Sequence, residues 1–418
     1  MIASVRTWAP LIFPAALYLA SLLLLAVCPQ AAVWPEYGSF VSIPYILFGV
    51  AALLGLFFTQ SRVSFLCLLL AAVTFLLQHS FFMRPNPARG AAVIFLAAVY
   101  FPPLAVLFYH LGERGAFNMH GLIRFLIMLS AMLVILALPC IPSVADHVSD
   151  SASALFQPMS GFIHVPVIGA LLFLAAIPLL LIRNKHESPH LGRLFSLAFL
   201  FVFTALNLRA GGWRDKSAET VLLLFMSGAA ATFAWAVLES SWRSAHIDEL
   251  TELPGRRALK HRLASLGSRY AIAVLDIDFF KKINDRFGHD TGDQVLRFVA
   301  SHMRKDEKNR AYRYGGEEFV VIGEDIDQAA MLSAMEQLRK AIDRSRFVVR
   351  SKDRPKEKPE GARPSRSSQE ERTIRVTVSI GVAASGDAGR SPDEALVAAD
   401  KALYRAKQDG RNCVKAAR

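Results

Sequence analysis

Apolar residues are distributed very unevenly along the chain. Eight apolar runs, each near the roughly 20 residues needed to cross a bilayer, fall near 9–29, 39–59, 62–82, 91–110, 121–142, 162–182, 191–208 and 217–240. They predict an all-α polytopic membrane domain over 1–240. Seven further runs follow the first and no convincing small-residue cleavage site follows it, so it reads as a span and not as a removable leader. Pro102-Pro103 predicts a kink or break in the fourth run.

Past a short helical linker at 241–250 the period changes. A helix is expected over 257–266, and Tyr270–Leu275 is a continuous apolar run of buried-strand length. Val295, Phe298, Val299 and Met303 give a helix over Thr291–Met303, and Ile326–Arg344 gives another. Gly315-Gly316 sits between two strand-like runs, the signature of a hairpin turn. Ile374, Val376, Val378, Ile380 and Val382 alternate as in a half-buried strand. Ser391-Pro392-Asp393-Glu394 is a capping box that opens a last helix, stopped at Gly410. The pattern over 251–418 is α+β: an antiparallel sheet with helices packed against it. Within it, 347–373 is rich in Lys, Arg, Glu, Pro and Ser and reads as a disordered insertion.

Charge sharpens this division. Residues 1–245 hold only 13 of the 47 Lys and Arg and 8 of the 35 Asp and Glu. The net charge of +12 comes without a basic stripe carrying interleaved aromatics, which argues against a nucleic-acid partner and for a surface beside an anionic leaflet. Cys28, Cys67, Cys140 and Cys413 have neither disulfide-framework nor zinc spacing. With the N-terminus inside, the inner segments carry eight Lys and Arg (Arg6, Arg62, Arg114, Arg124, Arg183, Lys185, Arg193, Arg243) against five outside (Arg84, Arg89, Arg209, Arg214, Lys216). An even number of spans places both termini in the cytoplasm. His79, His110, His164, Asn207 and Arg124 lie in or near the spans, most of them near span ends, where snorkelling or interface anchoring is the commoner role. The last run continues into Ser240–Asp248 without Gly or Pro, so its helix is expected to leave the membrane.

Chemistry concentrates in two stretches. Asp276 and Asp278 end the buried strand, just before Phe279-Phe280-Lys281-Lys282-Ile283-Asn284-Asp285. Some forty residues later comes Arg313-Tyr314-Gly315-Gly316-Glu317-Glu318-Phe319, with two carboxylates directly after a turn without Cβ atoms. Carboxylates so presented suit a hard cation that carries phosphates.

Together these stretches resemble the GGDEF family of diguanylate cyclases, in its GGEEF variant. Further matches are Asp248–Arg257, Phe287–Asp293, Val376–Val382 and Ala399–Lys407, so the resemblance covers roughly 246–418. It implies a palm-like fold similar to nucleotidyl cyclases and the condensation of two GTP into cyclic di-GMP and two pyrophosphates. Each subunit would hold one GTP, so the enzyme would act as a homodimer through this domain. The resemblance places a metal, Mg²⁺ with Mn²⁺ as the alternative, on Asp276, Glu317 and the Ile277 carbonyl. Gly315, Gly316, Glu317 and Glu318 would form the catalytic turn, with Glu318 on a second metal or deprotonating the 3′-hydroxyl. Asn284 and Asp293 match the guanine readers. The Phe279, Phe280 and Lys281 amides suit the terminal phosphates, and Lys401 and Arg405, i and i+4 on one helix face, are expected to reach them. Arg313 is expected to touch the partner site or the product.

One departure stands out. The inhibitory Arg-x-x-Asp of many relatives is replaced here by Asp306 and Asn309, with Arg304 and Glu307 out of register. Product inhibition through that site is therefore not expected. The sequence leaves two alternatives, a non-catalytic nucleotide receptor and a membrane sensor or scaffold with a subsidiary cyclase module. The membrane domain's ligand or partner protein is unknown from sequence. The expected location is the bacterial inner membrane, with the C-terminal domain in the cytoplasm.

Overall fold

The computed structural model describes residues 2–27, 41–83, 86–111, 113, 115–141, 143, 163–182, 190–210, 216–304, 310–349, 373–385 and 390–418. The chain divides into two compact units, Met1–Trp242 and Arg243–Arg418.

Helices of the first unit stand where the apolar runs predict them. They are α1 (Ile2–Val27), α2 (Ile43–Phe57), α3 (Ser61–Gln78), α4 (Pro87–His110), α5 (Met119–Ala137), α6 (Val167–Leu181), α7 (Leu191–Ala210) and α8 (Lys216–His246). Among the described residues six are long and apolar enough to cross a membrane, while α2 and α6 are shorter. At 15 residues each, these two reach about 22 Å, less than the ~30 Å hydrocarbon core. Of the kink or break expected at Pro102-Pro103, the break is absent, since α4 runs through both prolines as one helix. A π-turn over His79–Met83 extends α3.

Several polar groups in this unit are paired internally. Arg124 does not anchor at an interface: it is 3% exposed and binds Glu113 Oε1 at 2.9 Å and Ser61 Oγ at 2.9 Å. Arg62 joins the same carboxylate at 3.7 Å, a buried network in which removing one partner would strand a charge. Asn207 Oδ1 accepts from the His164 and Val165 amides at 2.7 and 3.2 Å.

The second unit is built on β1 (Tyr270–Ile277), the middle strand of a five-stranded sheet. The other strands are β2 (Arg310–Arg313), β3 (Glu318–Glu324), β6 (Val378–Ala384) and β7 (Val414–Ala416), in the order β2-β3-β1-β6-β7. The sheet is antiparallel as expected except for one parallel pair, β6 with β7. Side chains of β1 alternate between two cores. Ala271, Ala273, Leu275 and Ile277 pack with α10 (Phe280–Phe287), α11 (His289–Met303) and α12 (Gln328–Arg344). Tyr270, Ile272 and Val274 pack with α9 (Arg256–Leu263) and α13 (Pro392–Gln408). Both faces are thus covered, which explains an unbroken apolar run in place of an alternating one.

The sequence treats Phe347 and Thr373 as the ends of a disordered insertion, yet both are strand residues. Two short strands, β4 (Phe347–Val348) and β5 (Thr373–Ile374), pair antiparallel, and Phe347 is buried against Phe298. Residues 350–372 lie outside the described residues. The alternation from Ile374 to Val382 is split accordingly, with β6 starting only at Val378.

Candidate active site

Strand β1 delivers Asp276 and Ile277 to the end of the sheet, where Asp276 pairs with Glu318 of β3 on one side and Ser379 of β6 on the other. The Ile277 amide donates to the Glu317 carbonyl at 3.4 Å, which brings the Gly-Gly turn over the strand end. The turn closes through the Tyr314 and Gly315 amides, which donate to the Glu318 carbonyl at 2.9 and 3.2 Å. Neither glycine has a positive φ. A Cβ on Gly315 would lie 2.6 Å from Glu318 Oε2, while Gly316 faces open space. Only Gly315 makes a close approach, and neither glycine is there for a left-handed backbone.

Arg313 is bonded within its own unit. Its Nη1 donates to both Asp248 oxygens at 2.9 Å, and its Nε and Nη2 donate to the Gly315 and Gly316 carbonyls at 3.2 and 2.8 Å. The planar fork thus ties the turn to the start of the domain. Burial alone would raise the Asp248 carboxyl, but hydrogen bonds from Thr251 and Arg313 outweigh it and hold the group below the usual carboxylate range.

Asp276 is 4% exposed. Burial pushes its carboxyl above the usual range, against the opposing hydrogen bond and charge of Lys407, whose Nζ is 2.9 Å from Oδ2. The Glu317 carboxyl is likewise raised, by burial first and then by the negative charge of Asp276. Two carboxylates and a backbone carbonyl are hard oxygen donors, and their mutual repulsion is what a divalent cation relieves. Among the described residues no group of three or more His, Cys, Asp and Glu side chains gathers at metal-ligand geometry.

The neighbouring Asp278 is structural. It is 4% exposed and accepts from Thr377 Oγ1, Ser379 Oγ and the Asn412 amide at 2.8, 2.6 and 3.0 Å. Phe279 then takes a left-handed conformation (φ 57, ψ 28) and opens α10. Phe280 and Ile283 are buried, while Lys281 is exposed. Asn284 Oδ1 is buried and makes no hydrogen bond, the orphaned acceptor expected of a site awaiting a polar ligand. It lies against Gly292, where a Cβ would collide with it, and Asp293 is the next residue, half-buried on the first turns of α11.

The expected pair on α13 is not at the strand end. Lys401 is exposed, and Arg405 Nη2 donates to the Ala416 carbonyl at 2.7 Å. At 100° per residue Lys407 lies about 240° around the helix from Lys401, on the edge of the buried stripe continued from Leu403. Sequence reasoning missed Lys407 and Arg411, the second of which places its guanidinium 4.5 Å from the Phe279 ring centre. The signal was available: Lys407 follows the apolar position Leu403 by four residues. Of the departed inhibitory motif, Asp306, Glu307 and Asn309 lie outside the described residues, while Arg304 pairs with Glu252 at 2.9 Å.

Residues 245–358 and 362–413 match the family described as "Diguanylate cyclase, GGDEF domain". The C-terminal unit is a GGDEF domain. The response regulator PleD of Caulobacter vibrioides is 38% identical over 186 residues, 42% of this chain and 37% of PleD. The diguanylate cyclase DgcP of Pseudomonas aeruginosa is 37% identical over 191 residues, 43% of this chain and 25% of DgcP. This chain therefore spans well under half the length of these two relatives. The probable diguanylate cyclase DgcF of Escherichia coli (strain K12) is 28% identical over 291 residues, 64% of this chain and 81% of DgcF, so that match extends beyond the GGDEF domain. The coiled coil and GGDEF domain of DgcB from Caulobacter crescentus, solved with c-di-GMP, aligns with 34% identity over 43% of this chain and 90% of that one, with a TM-score of 0.37.

Proposed function

We propose that the chain is a membrane-bound diguanylate cyclase that condenses two GTP into cyclic di-GMP and two pyrophosphates. The observation that carries this reading is the convergence of Asp276 and Glu317, both raised, at the end of β1 beside Lys407. The similarity of the GGDEF domain to DgcP supports the same activity.

Each GGDEF domain binds one GTP and two face each other. Asp293 accepts from the guanine N1–H and N2 amino group, which adenine lacks, and Asn284 completes the base pocket. The backbone amides of Phe279, Phe280 and Lys281 sit at a helix start and suit the terminal phosphates. Lys407 and Arg411 take the phosphate role in place of Lys401 and Arg405, because they flank the strand end. Asp276, Glu317 and the Ile277 carbonyl hold the Mg²⁺, which when bound neutralises charge on the triphosphate. The 3′-oxygen of one GTP attacks the α-phosphorus of the other, the bond to the bridging oxygen of pyrophosphate breaks, and Glu318 accepts the 3′-proton. A second, symmetric transfer closes the ring.

The first unit anchors the enzyme in the bacterial inner membrane, with both termini in the cytoplasm where GTP is. Helix α8, which runs unbroken from Lys216 to His246, supports control of domain pairing by the membrane unit. Purified full-length protein with Mg²⁺ is expected to convert GTP, and not ATP, to the cyclic dinucleotide, with Asp293→Ala eroding that preference. Failure to consume GTP at any protein concentration would remove the reading.

A further inference from the structure

Phe279 is the only non-glycine residue of the β1–α10 connection with a positive φ (57), and unlike Phe280 its ring is half exposed (50% against 7%). An exposed phenyl on a strained backbone is unfavourable unless the ring has a task. Two cations from separate elements occupy it: Lys282 Nζ lies 4.7 Å and Arg411 Cζ 4.5 Å from the ring centre. The face of the ring carries negative charge density, so both are attracted.

Arg411 is held from its other side as well. It and Asn412 are consecutive left-handed residues (φ 65 and 45). Such a turn survives only when its surroundings over-determine it, and here they do. The Asn412 amide donates to Asp278 Oδ2 at 3.0 Å. Its side chain accepts from Arg339 Nη1 at 2.8 Å and donates to Asp343 Oδ2 at 3.1 Å. The backbone of Arg411 is thereby pinned to the same acid, Asp278, that closes the end of the sheet beside Asp276. A long guanidinium side chain on that fixed backbone still has several rotamers, and the Phe279 ring selects one.

We infer that Phe279 is a positioning residue: its ring aligns the Arg411 guanidinium over the phosphate end of the nucleotide site. The inference rests on the phosphate role proposed above for Arg411. Phe279 itself touches no reacting atom. Preorganising the arginine lowers the entropy lost when it grips a phosphate, so the ring contributes to ground-state and transition-state binding alike. It should therefore act on KM far more than on kcat.

The test uses full-length protein and 3′-deoxy-GTP with Mg²⁺, a nucleotide that binds but has no 3′-hydroxyl to attack with. Phe279→Leu keeps an apolar side chain unbranched at Cβ on the same backbone but removes the ring. It is expected to weaken 3′-deoxy-GTP binding roughly 3- to 10-fold and to raise the KM for GTP alike, with kcat nearly unchanged. Phe279→Tyr, which keeps the ring, is expected to restore both. In an Arg411→Ala background Phe279→Leu should add almost nothing, because the ring then has no guanidinium to align. Unchanged binding in Phe279→Leu, or an equal loss with and without Arg411, overturns the inference while leaving the cyclase reading intact. Wild-type protein that fails to bind 3′-deoxy-GTP overturns the cyclase reading itself, and the inference with it.

Discussion

Ionised carboxylates that converge without a cation between them destabilise the fold that holds them: Asp276 is pushed up by burial, and Glu317 by burial and then by the negative charge of Asp276. The sign of the stability effect follows. A carboxyl whose folded pKa is raised contributes stability that is present below its unfolded pKa and lost as pH rises through the folded one. Without metal, Glu317→Gln should therefore melt a few degrees higher than wild type near neutral pH, with the gain disappearing in acid. Thermal melts in chelator across pH 4 to 8 test this, and a variant that melts lower at neutral pH contradicts it. With Mg²⁺ and nucleotide the order should reverse, since glutamine gives the cation no charge. Lys407, on the Asp276 carboxylate at 2.9 Å, is the residue that partly balances the acids until substrate arrives.

At the scale of elements, much of the site was legible because it depends on local rules. The Gly-Gly hairpin, the acid-terminated buried strand and the capping box of α13 all appear where their residues predict them. What was not legible depends on which helix face meets the sheet. Lys401 and Arg405 share a face by spacing alone, but only the packing of Ala395, Ala399, Ala402, Leu403 and Ala406 decides that another face borders the strand ends. The tie of Arg313 to Asp248 was hidden for a similar reason: the two are 65 residues apart in sequence. The strand pair at Phe347 and Thr373 was hidden by the composition of the residues between them. The junction of α10 and α11 allows a direct test. Because a Cβ at Gly292 collides with Asn284 Oδ1, Gly292→Ala should displace the base-reading amide at a packing cost of about 1–3 kcal/mol. GTP affinity should fall on the order of tenfold, one such increment of about 1.4 kcal/mol, in a nucleotide titration of full-length protein. Wild-type affinity would show that Asn284 does not contact the base.

At the scale of the whole molecule, eight apolar runs were legible as eight helices, yet among the described residues only six are long enough to cross alone. Parity makes the topology robust to this difference. Whether α2 and α6 both cross or both stay in one leaflet, the count is even and the termini share a side. Reporter fusions at the N-terminus and after Arg418 should therefore both read cytoplasmic, while opposite readings would mean that one of the two short helices crosses and the other does not. The buried Arg62–Glu113–Arg124 network explains how arginines near span ends come to be internal: the chain supplies their counter-charge in Glu113, just past the end of α4.

The central claim is that Asp276 and Glu317 together hold the cation that drives cyclic di-GMP synthesis. The most direct measurement is product formation from GTP and Mg²⁺ by full-length protein, read by mass spectrometry for wild type, Asp276→Asn and Glu317→Gln. Wild type is expected to form cyclic di-GMP with two pyrophosphates per product. Either folded variant is expected to lose at least about a hundredfold, the scale expected when a group that stabilises transition-state charge is removed. Wild-type-like synthesis by either variant would contradict the central claim.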